Sequence, residues 1–233
     1  MDASPPCTRR TFEGSTFTVC TFDARRSEFR LASQGRTGAA LRGFAALADE
    51  LGSEAQRVAF AMNAGMFDAE GAPIGLLVAG GVTRHPLDSD DGTGNFYLKP
   101  NGVLSVDRDG AVHVEPTASY AARHPEPAWA TQSGPMLVID GALHPAIARD
   151  GASRTIRNGV GAFDAHTALF AISEAPVSLG RFARLFRDEL HCASALFLDG
   201  AVSSAWIPSA GRRDAHHPLG PLLVVLSLPR GGP

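Results

Sequence analysis

The chain has 233 residues, of which 44% are hydrophobic and 19% are charged. This composition supports a buried core and excludes a disordered chain, and the length is typical of one domain. The formal net charge of -3 gives no electrostatic reason to expect nucleic acid as a partner. No apolar run approaches the roughly 18 residues that a membrane-spanning helix requires, so we expect no membrane span.

The first half of the chain begins with predicted strands and one helix. Residues 16–22 are rich in β-branched and aromatic side chains that alternate, which predicts a strand, and a second short strand is predicted at 28–32. Apolar residues at helical spacing predict a helix over 37–51, which Gly52 ends. Further strands in this half are predicted at 58–62, 74–79, 95–99, 103–106 and 112–114.

The rest of the sequence signals are tight turns, spread over residues 101–141, and one strongly amphipathic segment in the second half. The pairs Asn101-Gly102, Asp109-Gly110 and Asp140-Gly141 are predicted to form tight turns. Residues 178–191 carry an apolar stripe with arginines outside it, which predicts the second main helix. The remaining strands are predicted at 130–133, 136–139, 159–163, 168–173, 195–198 and 222–228. The sequence therefore predicts a single α+β domain with a mixed or largely antiparallel β-sheet packed against two main helices.

The N-terminal region is predicted to be a tail over residues 1–15, followed by the domain at 16–230. Cys7, Cys20 and Cys192 match no zinc site and no redox pair. In an oxidising compartment Cys7 and Cys20 are placed to bridge two adjacent strands, and the sequence leaves open whether they do. The chain starts without the basic and apolar regions of a secretory signal. Two locations stay open: the cytoplasm, or the periplasm or exterior for the mature part of an exported protein.

Several familiar catalytic and binding motifs are missing from the sequence. It contains no GxxxxGK[ST] phosphate loop, no strand-placed GxGxxG, no HExxH and no GxSxG. The acidic run at 88–92 departs from the spacing of a calcium loop, which favours a plain surface loop. We therefore predict no cofactor and no set of metal ligands, and leave a divalent cation open.

Polar side chains stand at the ends of several apolar strands, most of them beside glycine. A buried strand that ends in Asp-Gly, as at Asp199, is costly unless the carboxylate has partners. Glycine beside such a group lets the backbone turn sharply or approach a ligand. Each segment alone is better explained as an ordinary turn, but the five together are as consistent with a site as with turns. These candidates are Asn63, Gln132, Ser133, Arg157, Glu174, Asp199, Ser203 and Ser204.

Four of these segments resemble, in order, the motifs of the phosphodiester glycosidase family. They are Asn-Ala-Gly-Met-Phe at 63–67, Ser-Gly-Pro-Met-Leu at 133–137, Arg-Asn-Gly-Val-Gly at 157–161 and Leu-Asp-Gly-Ala-Val-Ser-Ser at 198–204. The resemblance runs from about Phe17 to Leu226 and is closest to an uncharacterised bacterial subgroup. The family typically has glycine at positions 64, 201 and 202, where this chain has Ala64, Ala201 and Val202.

The resemblance implies a hydrolase that cleaves the glycosidic bond of a sugar-1-phosphodiester. The partner would be a small molecule or glycan that carries the phosphodiester. Because the departing phosphate monoester is a weak base, its protonation matters less than in ordinary glycosidases. Such a site needs an oxyanion clamp, a carboxylate near the anomeric carbon and polar groups for the sugar. The roles implied are the clamp for Arg157 with Ser203 and Ser204, base or nucleophile for Asp199, second carboxylate for Glu174, and substrate orientation for Asn63, Gln132 and Ser133.

Two other functions stay open at this stage. One is a non-catalytic carbohydrate-binding protein of the bacterial cell envelope that uses the same cleft. The other is an acyl-transfer hydrolase with Ser133 or Ser203 as nucleophile, although no histidine lies near either in the sequence. For Arg157 the alternative to an anion clamp is a structural ion pair with Asp199 or Glu174. The sequence leaves the oligomeric state open.

Overall fold

The computed structural model describes residues 6–229, which form nineteen strands and three α-helices. Two 3₁₀ turns, Gly52–Arg57 and Pro208–Ala210, and a π-helical turn, Leu185–Glu189, complete the regular structure in this part of the chain. In chain order the elements are β1 (Cys7–Phe12), β2 (Ser15–Asp23), β3 (Ser27–Ala32), α1 (Phe44–Leu51), β4 (Val58–Asn63), β5 (Leu77–Ala79), β6 (Val82–His85), β7 (Gly102–Val106), β8 (Val112–Pro116), α2 (Thr117–Arg123), β9 (Trp129–Ser133), β10 (Met136–Ile139), β11 (Ala142–Leu143), β12 (Arg154–Thr155), β13 (Asn158–Ala162), β14 (Thr167–Ser173), β15 (Val177–Ser178), α3 (Leu179–Arg184), β16 (Ser194–Asp199), β17 (Ala205–Ile207), β18 (Arg212–Arg213) and β19 (Leu222–Ser227).

Three larger sheets make up the domain. A seven-stranded sheet has the order β1-β2-β14-β13-β16-β10-β11, and two five-stranded sheets have the orders β18-β17-β4-β19-β3 and β6-β5-β9-β7-β8. Strands β12 and β15 form a separate pair beside them. Every strand pair between described residues is antiparallel. The predicted single α+β domain is thereby confirmed.

Strand β2 shows how the layers pack. Phe17 on one face lies 6.2 Å, centroid to centroid, from Phe182 of α3. Phe22 on the other face lies 5.6 Å from Phe60 of β4, which belongs to a five-stranded sheet. Because successive side chains point to opposite faces of a strand, the apolar alternation of β2 allows one strand to join a helix layer to a second sheet. The seven-stranded sheet is therefore the middle layer at this point.

The predicted tail at 1–15 is wrong where the structure describes it. Residues 7–12 form strand β1, and Cys7 stands opposite Cys20 in the register and forms a disulfide with it. The strand is largely exposed and polar, and it pairs at the edge of its sheet with β2. Such an edge strand buries little apolar surface, so its sequence lacks the alternation of apolar and polar residues by which a strand is predicted. Residues 1–5 of the tail, and residue 230 of the predicted domain, lie outside the described residues.

The strand predicted at 95–99 is also wrong. This segment is a series of turns that ends in a cis bond between Lys99 and Pro100. The Asn101 side chain donates a hydrogen bond to the carbonyl oxygen of Phe96 at 3.0 Å, so it fixes the loop instead of turning a hairpin. The Asp109-Gly110 and Asp140-Gly141 turns lie where they were predicted.

The helices differ from prediction in length and number. Helix α1 begins only at Phe44, because positive φ angles at Gly38 (82°) and Arg42 (56°) are incompatible with a helix before it. Helix α3 ends at Arg184 and continues as the π-helical turn, and α2 is a third helix that the sequence patterns did not reveal. Among residues 6–229, none of the helices has the length and apolar character needed to span a bilayer.

Candidate active site

A cavity of about 380 Å³ opens at one edge of the seven-stranded sheet. Its wall is formed by residues from four parts of the chain: Met66, Phe67, Ile74, Asn95, Ser153, Thr155, Arg157, Asp199, Gly200, Ala201 and Val202. Asp199 is the last residue of β16, and Asn158, which follows Arg157, is the first residue of β13. Asn158 and Asp199 are partners in the antiparallel register, so the end of one strand and the start of the other meet at the same edge. This pairing brings Arg157 and Asp199 to one cavity, although 42 positions separate them in the sequence.

Asp199 is a buried carboxylate held by the backbone of its own turn. Its side chain is 5% exposed, and Oδ1 accepts hydrogen bonds from the N–H groups of Ala201 at 2.6 Å and Val202 at 2.9 Å. Within residues 6–229 no basic side chain forms a salt bridge with it, and Oδ2 accepts no hydrogen bond. Burial raises the pKa of Asp199, while these N–H groups partly oppose the rise. The free oxygen is therefore a proton acceptor of raised basicity beside the cavity.

Arg157 is a buried cation without a carboxylate partner among the described residues. It is 2% exposed, and it lies over the ring of Phe197 at 5.4 Å from the ring centroid. Its Nε donates to the carbonyl oxygen of Val177 at 2.9 Å, and Nη2 donates to that of Ser153 at 3.0 Å. Burial lowers the pKa of Arg157 from its very high ordinary value, and the group stays charged. The alternative of a structural ion pair with Asp199 or Glu174 is therefore wrong.

Asn63 joins two sheets beside Asp199. Its Oδ1 accepts hydrogen bonds from Asn158 Nδ2 at 2.9 Å and from the N–H of Ser204 at 2.8 Å. Asn63 ends β4, whereas Asn158 begins β13 in the other sheet. Asn63 is fully buried and does not line the cavity. Its contacts fix the turn that carries the carboxylate, and Asn158 is a partner that the sequence analysis did not select although it follows Arg157 directly.

Ser203 and Ser204 also hold this turn. Ser203 Oγ lies 3.0 Å from the carbonyl oxygens of both Ile156 and Asp199, one of which accepts its proton. Ser204 Oγ donates to the carbonyl oxygen of Val202 at 2.8 Å. Neither hydroxyl belongs to the cavity wall. The structure therefore brings both serines next to Asp199, but their hydroxyl groups donate to backbone carbonyl oxygens.

Gln132 and Ser133 lie behind the cavity. Gln132 Oε1 accepts the N–H groups of Leu76 at 3.0 Å and Asp88 at 2.9 Å, so it anchors two loop segments. Ser133 Oγ donates to the carbonyl oxygen of Leu198 at 3.0 Å, next to Asp199. In the described part of the chain, neither Ser133 nor Ser203 contacts a histidine, so the arrangement of an activated serine nucleophile is not formed there.

Glu174 is not brought to the cavity. Its Oε1 accepts a hydrogen bond from Arg212 Nη1 at 2.9 Å and another from the Thr18 hydroxyl. Arg212 in turn forms a salt bridge with Asp214 at 2.8 Å. The Glu174 carboxylate, which directly follows β14, is thus engaged in a charge network with Arg212 of β18, and these contacts favour a structural role for it.

The cavity also contains residues that the sequence analysis did not select. Thr155 and Asn95 add polar groups, and Met66, Phe67 and Ile74 add an apolar wall. Thr155 belongs to the two-residue strand β12, which is too short to show a period in sequence. Nowhere in 6–229 do three or more His, Cys, Asp or Glu side chains gather closely enough to hold a metal ion.

Comparison with known proteins identifies a matching family and a bacterial relative. A family model described as phosphodiester glycosidase matches residues 56–223. The uncharacterised protein YigE of Escherichia coli is 35% identical over 162 residues, which is 70% of this chain and 63% of the relative. This chain thus spans less than two thirds of the length of that relative.

Two solved structures share the fold at low sequence identity. The catalytic domain of zebrafish N-acetylglucosamine-1-phosphodiester alpha-N-acetylglucosaminidase, auto-inhibited by its pro-peptide, has a TM-score of 0.66 and 13% identity, with 98% of this chain and 86% of that chain covered. A hypothetical protein from Synechocystis has a TM-score of 0.56 and 15% identity, with 95% and 61% covered.

Proposed function

The chain belongs to the phosphodiester glycosidase family, and from its site geometry we propose that it hydrolyses the bond between the anomeric carbon of a sugar and the phosphate of a phosphodiester. The observation that carries this proposal is one cavity with two buried, oppositely charged groups, Arg157 and Asp199, that form no ion pair. A substrate with an anionic phosphate next to an electrophilic carbon would use both groups at once.

Arg157 is proposed to bind the phosphate. Burying a cation without an anionic partner is unfavourable, so a phosphate oxygen that enters the cavity supplies the missing charge. The contacts of Nε with Val177 and of Nη2 with Ser153 fix the plane of the guanidinium. They leave Nη1 as the donor for the ligand. A group oriented in this way stabilises the charge that develops on the departing phosphate without further reorganisation.

Asp199 is proposed to act at the anomeric carbon, as base or as nucleophile. As a base, it takes a proton from water while the water oxygen bonds to the anomeric carbon and the carbon–oxygen bond to phosphate breaks. The bonding electrons leave with the phosphate monoester, which needs little protonation. As a nucleophile, Asp199 first bonds to the anomeric carbon while the carbon–oxygen bond to phosphate breaks. A water oxygen then replaces the carboxylate on that carbon, the carboxylate leaves, and the water proton passes to solvent. The raised pKa of Asp199 favours proton uptake in the first route, where Asp199 acts as the base.

The test is hydrolysis of a panel of sugar-1-phosphodiesters by the wild-type protein and by Asp199→Asn. We expect release of free sugar and phosphate monoester, and a loss of about 10²- to 10⁴-fold in the variant. Asn keeps an oxygen for the N–H groups of Ala201 and Val202, so the turn is retained. Full activity in folded Asp199→Asn would contradict the proposal.

The same panel tests two further points. The reaction as written uses only water as co-reactant, and a chelator arm measures whether a divalent cation contributes. The alternative function, a carbohydrate-binding protein, predicts binding of the panel compounds without turnover by the wild-type protein. The zebrafish enzyme is named for N-acetylglucosamine-1-phosphodiester, so that sugar belongs in the panel beside others.

A further inference from the structure

Thr155 has a buried hydroxyl that the fold does not use. Among residues 6–229, Thr155 Oγ1 has no hydrogen-bond partner, although its residue lines the cavity. Buried hydroxyl groups almost always find a partner, because an unsatisfied one costs free energy. An unpaired donor next to a cavity that holds a buried cation is therefore a sign of a ligand.

Thr155 Oγ1 and Arg157 Nη1 lie close to the same residue, Gly200. A Cβ atom at position 200 would lie 3.0 Å from Thr155 Oγ1 and 3.2 Å from Arg157 Nη1. It would also lie 2.8 Å from Cζ of Phe197, so a side chain at position 200 would collide with its surroundings. The two donors are therefore neighbours at the wall of one cavity, on either side of a residue that has to be glycine.

One residue, Val177 of β15, holds both donors in place. Thr155 is its partner in the register of β12 and β15, and Arg157 Nε donates to its carbonyl oxygen. The backbone of Thr155 and the guanidinium plane of Arg157 are therefore fixed before any ligand arrives. Such preorganisation is what an anion site requires, because the cost of ordering the donors is met during folding.

We infer that Thr155 Oγ1 and Arg157 Nη1, which both lie beside Gly200 at the cavity, form its phosphoryl subsite. Each donates a hydrogen bond to a non-bridging oxygen of the same phosphate. Thr155 is then a substrate-binding residue that positions the phosphate, and Gly200 is required there for space. This inference rests on the proposed function for the identity of the full substrate, but it also predicts binding of phosphate alone.

The first experiment measures the affinity of the folded protein for inorganic phosphate by calorimetry, with Thr155→Val and Thr155→Ser as a matched pair. Valine has the shape of threonine without the hydroxyl, whereas serine keeps the hydroxyl. We expect Thr155→Val to weaken binding about 10- to 100-fold, as for a lost hydrogen bond to a charged group. Thr155→Ser should bind nearly as tightly as wild type.

Thermal unfolding separates this role from a structural one. Removing an unsatisfied hydroxyl should leave Thr155→Val at least as stable as wild type. Weaker phosphate binding in a protein of undiminished stability therefore supports the subsite. Phosphate binding that is equal in Thr155→Val and wild type, or absent from wild type, would overturn it.

Hydrolysis of the phosphodiester panel distinguishes this inference from the proposed function. If the wild-type protein binds phosphate through Thr155 but hydrolyses nothing, the subsite stands and the proposed function fails. If the protein hydrolyses a phosphodiester and Thr155→Val has an unchanged KM, the subsite fails and the proposed function stands. A raised KM with kcat little changed is the result expected when both are right.

Discussion

Two buried arginines of this protein, Arg157 and Arg184, differ in what surrounds the charge. Arg184 is 4% exposed, and its Nε and Nη2 each donate to Glu13 at 2.7 Å, a two-point pairing that raises its pKa. Arg157 is 2% exposed, contacts only neutral groups, and has a lowered pKa. The fold satisfies the first charge internally and leaves the second without a carboxylate partner among residues 6–229.

The two carboxylates repeat this contrast. Glu174 is bonded to Arg212 and Thr18, whereas Asp199 accepts only backbone N–H groups of its own turn. An ionised group that is buried without a counter-charge weakens the fold, so its retention points to a function. The lesson is that burial alone does not identify the candidate site residues. The two candidates, Arg157 and Asp199, differ from Arg184 and Glu174 in that they lack an oppositely charged partner among residues 6–229.

The largest expected effect is on catalysis by Arg157→Lys. Lysine keeps a positive charge, but it cannot bond to Val177 and Ser153 while presenting a further donor to phosphate. We expect kcat/KM on the best panel substrate to fall about 10²- to 10³-fold. Arg184→Lys is the matched control and should keep the kcat/KM of wild type. Equal losses in the two variants would break the comparison.

The second prediction concerns stability, where we expect the Arg184 variant to lose more than the Arg157 variant. Arg184→Met removes the two-point pairing with Glu13, which then keeps only Arg181 at 3.5 Å, and we expect it to lower the free energy of unfolding by about 2 kcal/mol. Arg157→Met leaves no carboxylate unpaired, so it should cost only about 1 kcal/mol. Urea unfolding of both variants measures the difference. A larger loss in Arg157→Met would mean that Arg157 is the structural member of the pair.

The third prediction concerns stabilisation by phosphate. Phosphate at ten times its dissociation constant should raise the free energy of unfolding of the wild-type protein by about 1.4 kcal/mol. Arg184→Lys should show the same gain from its own baseline, because its charge is not offered to ligands. Arg157→Lys should gain less at the same phosphate concentration. Thermal unfolding in phosphate and in chloride of equal ionic strength checks this.

The smallest effect is the pH dependence from Asp199. Its folded pKa lies above the ordinary value of 3.8, so between these two pKa values the folded state binds more protons than the unfolded state. Stability is therefore lost as pH rises through this window. Asp199→Asn lacks this loss, and we expect it to be more stable than wild type at pH 7.

That advantage should shrink as pH falls towards 3.8 and vanish well below it, where Asp199 is protonated in both states of the wild-type protein. Unfolding curves at about pH 2.5 and pH 7 measure it. Glu174→Gln is the matched control: it removes a partner of Arg212 and should not stabilise the protein at pH 7. A gain from Glu174→Gln equal to that from Asp199→Asn would remove the contrast between the carboxylates.

Apolar pattern predicted the middle of the domain well. The alternation in β2 and the apolar runs of β14 and β16 bury their side chains between layers, so the sequence carries a strong signal there. Edge and loop structure escaped prediction. Strand β1 is polar, and the segment 95–99 is apolar because Phe96 is buried under a loop and not in a sheet.

The candidate site was predictable only in part. The motifs selected Arg157 and Asp199, and the antiparallel register explains why they meet. Glu174 has the same chemistry as Asp199 in sequence, and only its contact with Arg212, 38 positions later, reveals the difference. Thr155 was missed because only the three-dimensional structure reveals that its buried hydroxyl has no hydrogen-bond partner among residues 6–229.

The hydrogen bond between Asn63 and Asn158 makes the geometry of the site depend on how the two sheets pack together. These side chains belong to different sheets and meet beside Asp199. Partial unfolding that separates the sheets would displace the carboxylate even while each sheet kept its own backbone ladder. We expect heating to abolish turnover before circular dichroism detects loss of strands, and neither half of the chain to function alone.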